Sequence, residues 1–339
     1  MKRLNNALKS AVLVVMSLLI TSILVWAGGE AYFRVRYDVV NSSSPTDWIE
    51  YDPARGWKLR PGSYSYFDVG AFNKAEISIN ELGLRNQPIS PAVPSGKRRI
   101  SVVGDSFVFA AALTEGEKFT DRLQALVGPD QEIVNVSVPG YGTWQQILLL
   151  RELARQGVDI GNQVVLVFFT NDLADNAGFE YGTSTQANWI PSFHVDEQGV
   201  LRHSTPEKIV RSADSLSLAN TSIFFQFLRN RSEIVVSRFP VLLDLMSTLG
   251  YQPELGRVPG VIAAWYSDNW EMEWRRTEDI IAYLDGYLRS RQTELLVTII
   301  PSPFQVEPAF RTLIENRKER DPRFTAYLAD PDRPQRVLH

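Results

Sequence analysis

The stretch Arg99-Ile-Ser-Val-Val-Gly-Asp-Ser-Phe-Val-Phe-Ala110 decides the fold. Residues 100–103 form a short continuous apolar run, which reads as a buried strand. The run breaks at Gly104-Asp105-Ser106, and Phe107 onward is apolar again. A strand that ends in a glycine-containing turn and enters a helix lifts a serine hydroxyl out at the carboxyl edge of a sheet. Open α/β sheets bind ligands at that edge, where helix N-termini also offer free N–H groups. The same tripeptide also suits an ordinary strand and turn with a capping serine. The role of Ser106 therefore rests on what the neighbouring strands bring to it.

Outward from this turn, helix and strand alternate. Phe119, Leu123, Leu126 and Val127 recur at helical spacing and predict a helix. A second strand over 132–136 ends at Pro139-Gly-Tyr-Gly142, and a helix over 144–153 follows. A third strand over 164–169 ends at Thr170-Asn-Asp172. Residues 173–270 interrupt the rhythm as an insertion, with a loop at 181–191, a turn at 195–199 and short helices at 223–228 and 241–249. A helix over 270–290 and a fourth strand over 295–300 resume it, followed by a charged helix over 310–320 and a loop over 330–334. Alternation at this spacing predicts βαβ units, a parallel sheet and right-handed crossovers. The first three strands are mainly apolar, the third throughout, as strands covered on both faces are.

Toward the N-terminus, residues 1–10 carry Lys2, Arg3 and Lys9 and no acid. From 11 to 27 every residue is apolar except Ser17, Thr21 and Ser22. As a helix this stretch is about 26 Å long, close to the ~30 Å hydrocarbon core of a bilayer. It reads as an uncleaved membrane anchor, with the preceding basic residues on the cytoplasmic side and the main domain extracytoplasmic. The rival is a cleaved signal peptide, with Val25-Trp-Ala27 as the small-residue site. Residues 30–98 are turn-rich, with a short strand at 77–79, and read as a lead-in packed on the core. The expected division is thus 1–29 anchor, 30–98 lead-in and 99–339 main domain.

Composition removes several function classes. With 339 residues, 44% of them hydrophobic, the protein is large enough to bury a sizeable core. A net charge of −4 with mixed signs leaves no basic footprint for nucleic acid. The absence of Cys removes disulfides, thiolate metal sites and Cys nucleophiles together, and suits an extracytoplasmic protein that needs no bridges. With sparse His as well, only carboxylates remain as metal ligands, and the single glycine in the first turn is no nucleotide loop. No cofactor and no metal are expected.

Three strand ends point the same way: Ser106 after the first, Gly140 after the second and Asn171 after the third. These are the residue types that acyl transfer needs. A serine hydroxyl attacks a carbonyl, and the resulting oxyanion needs preorganised donors. Gly140 can present a backbone N–H closely because it lacks a Cβ, and Asn171 offers a neutral side-chain N–H.

Gly104-Asp-Ser-Phe-Val-Phe-Ala110, Asn135-Val-Ser-Val-Pro-Gly-Tyr-Gly-Thr-Trp-Gln145 and Val167-Phe-Phe-Thr-Asn-Asp-Leu173 together resemble the first three blocks of the SGNH (GDSL-like) hydrolases. Tyr51-Asp-Pro, Gly56-Trp57 and Asn80-Glu-Leu-Gly-Leu-Arg85 resemble the lead-in of the membrane-anchored bacterial members. The resemblance covers most of residues 50–305. It implies a three-layer α/β/α sandwich on a parallel, flavodoxin-like sheet of five strands, of which four are countable here. It also implies Ser106 as nucleophile, with the Ser106 and Gly140 amides and the Asn171 side chain as oxyanion donors. The implied substrate is an acylated small molecule or polysaccharide, and the bilayer is a partner through residues 11–27. Trp189, Trp265, Trp270 and Tyr181 near the insertion are compatible with stacking on sugars, although aromatic residues there are more often simply core.

Two departures matter. The third block of the family reads Gly-x-Asn-Asp, whereas Phe169 stands here at the glycine. The last block, Asp-x-x-His, supplies the base and its orienting carboxylate, and nothing matches it: His339 has Arg336 where the Asp would lie. His194 and His203 fall in the insertion and flank a turn. The expectation is a sequence that lacks the C-terminal block of its family, with a degenerate, non-catalytic homologue as the competing explanation. Without a base the serine hydroxyl is a poor nucleophile near neutral pH. A membrane-tethered binding or scaffold domain is the alternative function.

Overall fold

The structure, a computed structural model, describes residues 2–43, 45–68, 72–180, 193–195, 201–203, 222–237, 270–308, 311, 315 and 322–338. Helix α1 (Lys2–Arg36) leads into a short helix α2 (Pro45–Trp48) and two antiparallel hairpins. These pair β1 (Ile49–Asp52) with β2 (Gly56–Leu59), and β3 (Gly62–Asp68) with β4 (Asn73–Ile79). The core follows as β5 (Arg98–Gly104), α3 (Ser106–Phe109), α4 (Phe119–Val127), β6 (Gln131–Ser137), α5 (Thr143–Arg155), β7 (Gln163–Phe168) and α6 (Asn171–Glu180). Beyond it, β8 (Phe193–Val195) pairs with β9 (Leu201–His203), and α7 (Ile223–Ser237) precedes α8 (Glu271–Arg289) and β10 (Glu294–Ile299). Helices α9 (Pro303–Val306), α10 (Pro322–Ala329) and α11 (Arg333–Val337) close the described residues.

The protein is a mixed α/β structure built on a four-stranded parallel sheet in the order β10-β7-β5-β6. The first core strand, β5, lies inside the sheet with the second on one side and the third on the other. The direction of growth therefore reverses between β5 and β7, and open α/β sheets bind ligands at such a reversal. Register sets Val103 beside Leu166 and Gly104 beside Ser137, so the carboxyl ends of β5, β6 and β7 lie side by side. Val102 and Val103, adjacent and so pointing to opposite faces, are both fully buried. Val103 enters the main cluster with Val136, Leu150, Leu166 and Leu284, while Val102 packs with Val108, Val167 and Leu123 of α4. β10, at one end of the order, buries one side only, and Leu296 is 50% exposed.

The four core strands and the helices at 119–127, 143–155 and 271–289 stand within a few residues of their expected places. The lead-in is more regular than its sequence predicts. Its hairpins put Trp57, Leu59, Ile77 and Ile79 into the main cluster beside Val134 and Val136. Helix α1 does not stop at residue 29 but runs to Arg36. Its Lys9–Arg36 part is long and apolar enough to cross a membrane. The far end docks on α7, where Phe33 packs against Phe224 and Phe227 and the Glu30 carboxylate accepts from Ser222 Oγ and Phe224 N at 2.8 and 3.0 Å. The helix expected at 223–228 extends to Ser237, and the loop expected at 330–334 gives way to α11 from Arg333, with Pro334 in its first turn, where a missing N–H does no harm. The loop at 181–191, the helix at 241–249 and most of the helix at 310–320 lie outside the described residues.

Candidate active site at the carboxyl edge of the sheet

Ser106 is exposed and opens the single turn of α3. Asp105, 2% exposed, caps that turn from beneath by accepting from Phe107 N at 2.9 Å. Gly104 is required by packing: a Cβ there would sit 2.3 Å from Val108 Cγ2, so any side chain would push α3 off the sheet. Behind the turn, Arg85 is fully buried and holds the exit of α3. It donates to the carbonyls of Phe109 and Ala110, both at 2.7 Å, to those of Leu113 and Glu76, and to Glu115 at 2.9 Å. Phe107, 46% exposed, stands over Phe169 with ring centroids 4.6 Å apart, giving the serine an apolar flank.

The loop after β6 is gripped by the lead-in. Trp57 Nε1 donates to the Pro139 carbonyl at 3.1 Å, the Tyr141 hydroxyl donates to the Trp57 carbonyl, and Gln145 Nε2 donates to the Arg55 carbonyl at 2.7 Å. Between these anchors Gly140 takes φ 78°, a left-handed conformation that favours glycine. Among the described residues no acceptor takes the Gly140 N–H, so it is available to an incoming anion.

Asn171 starts α6, and its amide is directed inward. Nδ2 donates to Asp105 Oδ2 at 2.9 Å and to Asp175 Oδ2 at 3.0 Å, while Oδ1 is buried without a partner. Both amide protons are thereby committed to carboxylates, and Asn171 is not free to donate to an oxyanion in this arrangement. Asp105, Asp172 and Asp175 converge here, with carboxylate oxygens within 4.8 Å of one another and all three residues buried. Asp172 accepts from Phe169 N at 3.2 Å and Gln146 Nε2 at 3.3 Å. Among the described residues no cation pairs with any of the three. Burial pushes all three carboxyl groups above the usual carboxylate range. The neighbouring carboxylates push Asp172 and Asp175 further up. Their spacing could bracket a cation, but the donors that meet them are protein N–H groups, and the raised protonation suits a set that shares protons.

The structure thus joins the turn of Ser106 to Asn171 through Asp105, and sets Gly140 at the end of the adjoining strand. His194 and His203 lie on the β8–β9 hairpin, their side chains outside the described residues, as is His339. Arg336, three residues before His339, pairs with Asp330. Sequence reasoning missed α6, Asp175 and the buried Arg85. The signal for the first was Asn171-Asp-Leu-Ala-Asp175, whose two acids are spaced to share a helix face. Compared with known proteins, the sequence matches no family model and no curated protein.

Proposed function

We propose that this is an SGNH-type protein acting on ester-linked acyl groups, as an acyl hydrolase or acyl transferase, with Ser106 at the nucleophile position. The finer architecture in this reading is a three-layer α/β/α sandwich with a flavodoxin-like strand order, tethered by α1 in the membrane with the main domain extracytoplasmic. The observation that carries it is the exposed Ser106 at the reversal of the sheet, hydrogen-bonded through its neighbour Asp105 to Asn171. The Ser106 and Gly140 N–H groups are two oxyanion donors. Asn171 becomes the third only if its amide leaves Asp105 or Asp175, which protonation of either carboxyl would ease. Among the described residues no base meets Ser106, and a serine hydroxyl without one attacks slowly. The purified full-length protein in detergent, given a short-chain acyl ester, is expected to turn over little above background, and Ser106→Ala to change that little. Robust turnover abolished by Ser106→Ala would contradict a Ser106 that works without a base.

A second reading is a membrane-tethered binding domain that keeps the pocket without the chemistry. It is favoured by the commitment of both Asn171 amide protons to carboxylates. In that case an acetylated oligosaccharide binds the full-length protein saturably and Ser106→Ala leaves its affinity unchanged.

A further inference from the structure

A cleft of about 630 Å³ lies along α5 from Leu148 to Arg155, between the β1–β2 turn and the end of α8, and four arginines line it: Arg55, Arg151, Arg155 and Arg291. Two carboxylates share the wall, and each is already matched. Arg55 Nη2 donates to Asp52 Oδ2 at 2.9 Å. Arg155 holds Glu152 with two bonds, 2.7 and 2.8 Å, and that hydrogen bonding is the main reason the Glu152 carboxyl is held down to about 2. What remains is Arg151 and Arg291. Arg151 Nη1 donates to the Tyr283 hydroxyl at 2.9 Å, and the Arg291 guanidinium stands 5.2 Å from the Tyr287 ring centroid. Neither has a carboxylate partner among the described residues. Tyrosine orients a guanidinium without neutralising it, so two positioned positive charges are left facing the cleft.

We propose that this cleft binds a small soluble phosphomonoester. Two unmatched guanidiniums give a net charge of about +2, which suits a phosphomonoester near neutral pH, where its charge is about −1.5 to −2. Guanidinium forks match the spacing of tetrahedral phosphate oxygens, and the same cleft presents one such fork from α5 and one from just past α8. The cleft volume falls within the ~300–1,000 Å³ of small-molecule sites. Pro53, Leu148 and Tyr287 supply apolar wall for the organic part. None of the residues that line the cleft belongs to the Ser106, Gly140 and Asn171 site, so its occupancy does not depend on ester chemistry.

Calorimetric titration of the full-length protein in detergent with glycerol 3-phosphate, inorganic phosphate and malonate tests this. Saturable binding of glycerol 3-phosphate is expected, weakened about tenfold or more by Arg151→Ala and by Arg291→Ala, the loss that one charge-assisted hydrogen bond carries. Arg289→Ala, outside the cleft and paired with Asp285, is expected to bind as the parent does. Should either alanine variant fold poorly, Arg151→Lys and Arg291→Lys keep the charge and lose the fork, and a weakening of several-fold is expected. Absence of saturable phosphate binding, malonate binding as tightly as glycerol 3-phosphate, or indifference to both arginines would overturn the proposal.

Discussion

Two groups of buried charge flank the turn that carries Ser106, and they are treated in opposite ways. Behind the turn, Arg85 is fully buried and every arm of its guanidinium meets a carbonyl or the Glu115 carboxylate. Beneath the turn, Asp105, Asp172 and Asp175 crowd together with protein N–H donors and no cation among the described residues. A buried ion whose hydrogen bonds are complete behaves as a clamp, and losing it leaves uncompensated partners. A buried carboxylate set without a counter-ion lowers its own charge by binding protons, and its donors hold their places only while that protonation lasts. The first arrangement fixes the backbone after Ser106. The second leaves Asn171 poised between two carboxylates at a site where a free amide would be useful.

The largest effect is expected from breaking the clamp. Arg85→Ala removes the cation from four carbonyls and Glu115, and about 3–5 kcal/mol of unfolding free energy is expected to be lost in urea titrations. Arg85→Lys is expected to recover only part, because an ammonium cannot span the same fork. The opposite sign is expected on the other side. In Asp172→Asn the amide oxygen can still accept from Phe169 N and one buried charge is gone, while the new NH2 stands where an oxygen accepted from Gln146 Nε2, so the Gln146 amide has to turn over to meet it. A gain of about 1–2 kcal/mol at neutral pH is expected; a loss would mean that the carboxylate is compensated and the contrast false.

pH separates the two further. The three carboxyl groups sit above their unfolded value, so the folded state binds the extra protons. Their contribution to stability is therefore complete below the ordinary aspartate value of 3.8 and declines as pH rises toward the shifted values. Glu152 acts in the other direction, since its carboxyl is lowered to about 2. The difference between the parent and Asp172→Asn isolates the cluster: the advantage of the variant in thermal unfolding is expected to grow with pH. A smaller effect is expected in the lead-in. Trp57→Phe removes the N–H to the Pro139 carbonyl in a buried setting, and about 1 kcal/mol of stability is expected to go with it.

The core strands are legible because each is a short apolar run bounded by turn residues, and their alternation with helices leaves few topologies. Ser106, Gly140 and Asn171 are legible for the same reason, as the residues that follow those runs. The lead-in hairpins are not. In Gly62-Ser-Tyr-Ser-Tyr-Phe-Asp68 the pattern is weak, and the strand exists because β4 pairs along its whole length. Nothing in the local pattern marks Arg85 and Arg99 for burial, yet both are buried by carbonyls from distant segments. The carboxylate cluster draws on two segments far apart in sequence, so no local pattern announces it. The direction of the Asn171 amide is set by that cluster, and it changes what the residue can do.

The most direct test of Ser106 as a nucleophile position without its base is rescue by an added one. Hydrolysis of a short-chain acyl ester by the full-length protein is measured with and without imidazole, each rate corrected by that of Ser106→Ala. The expected result is a Ser106-dependent rate near zero alone that rises with imidazole concentration. A large Ser106-dependent rate without imidazole, or none at any imidazole concentration, would contradict it.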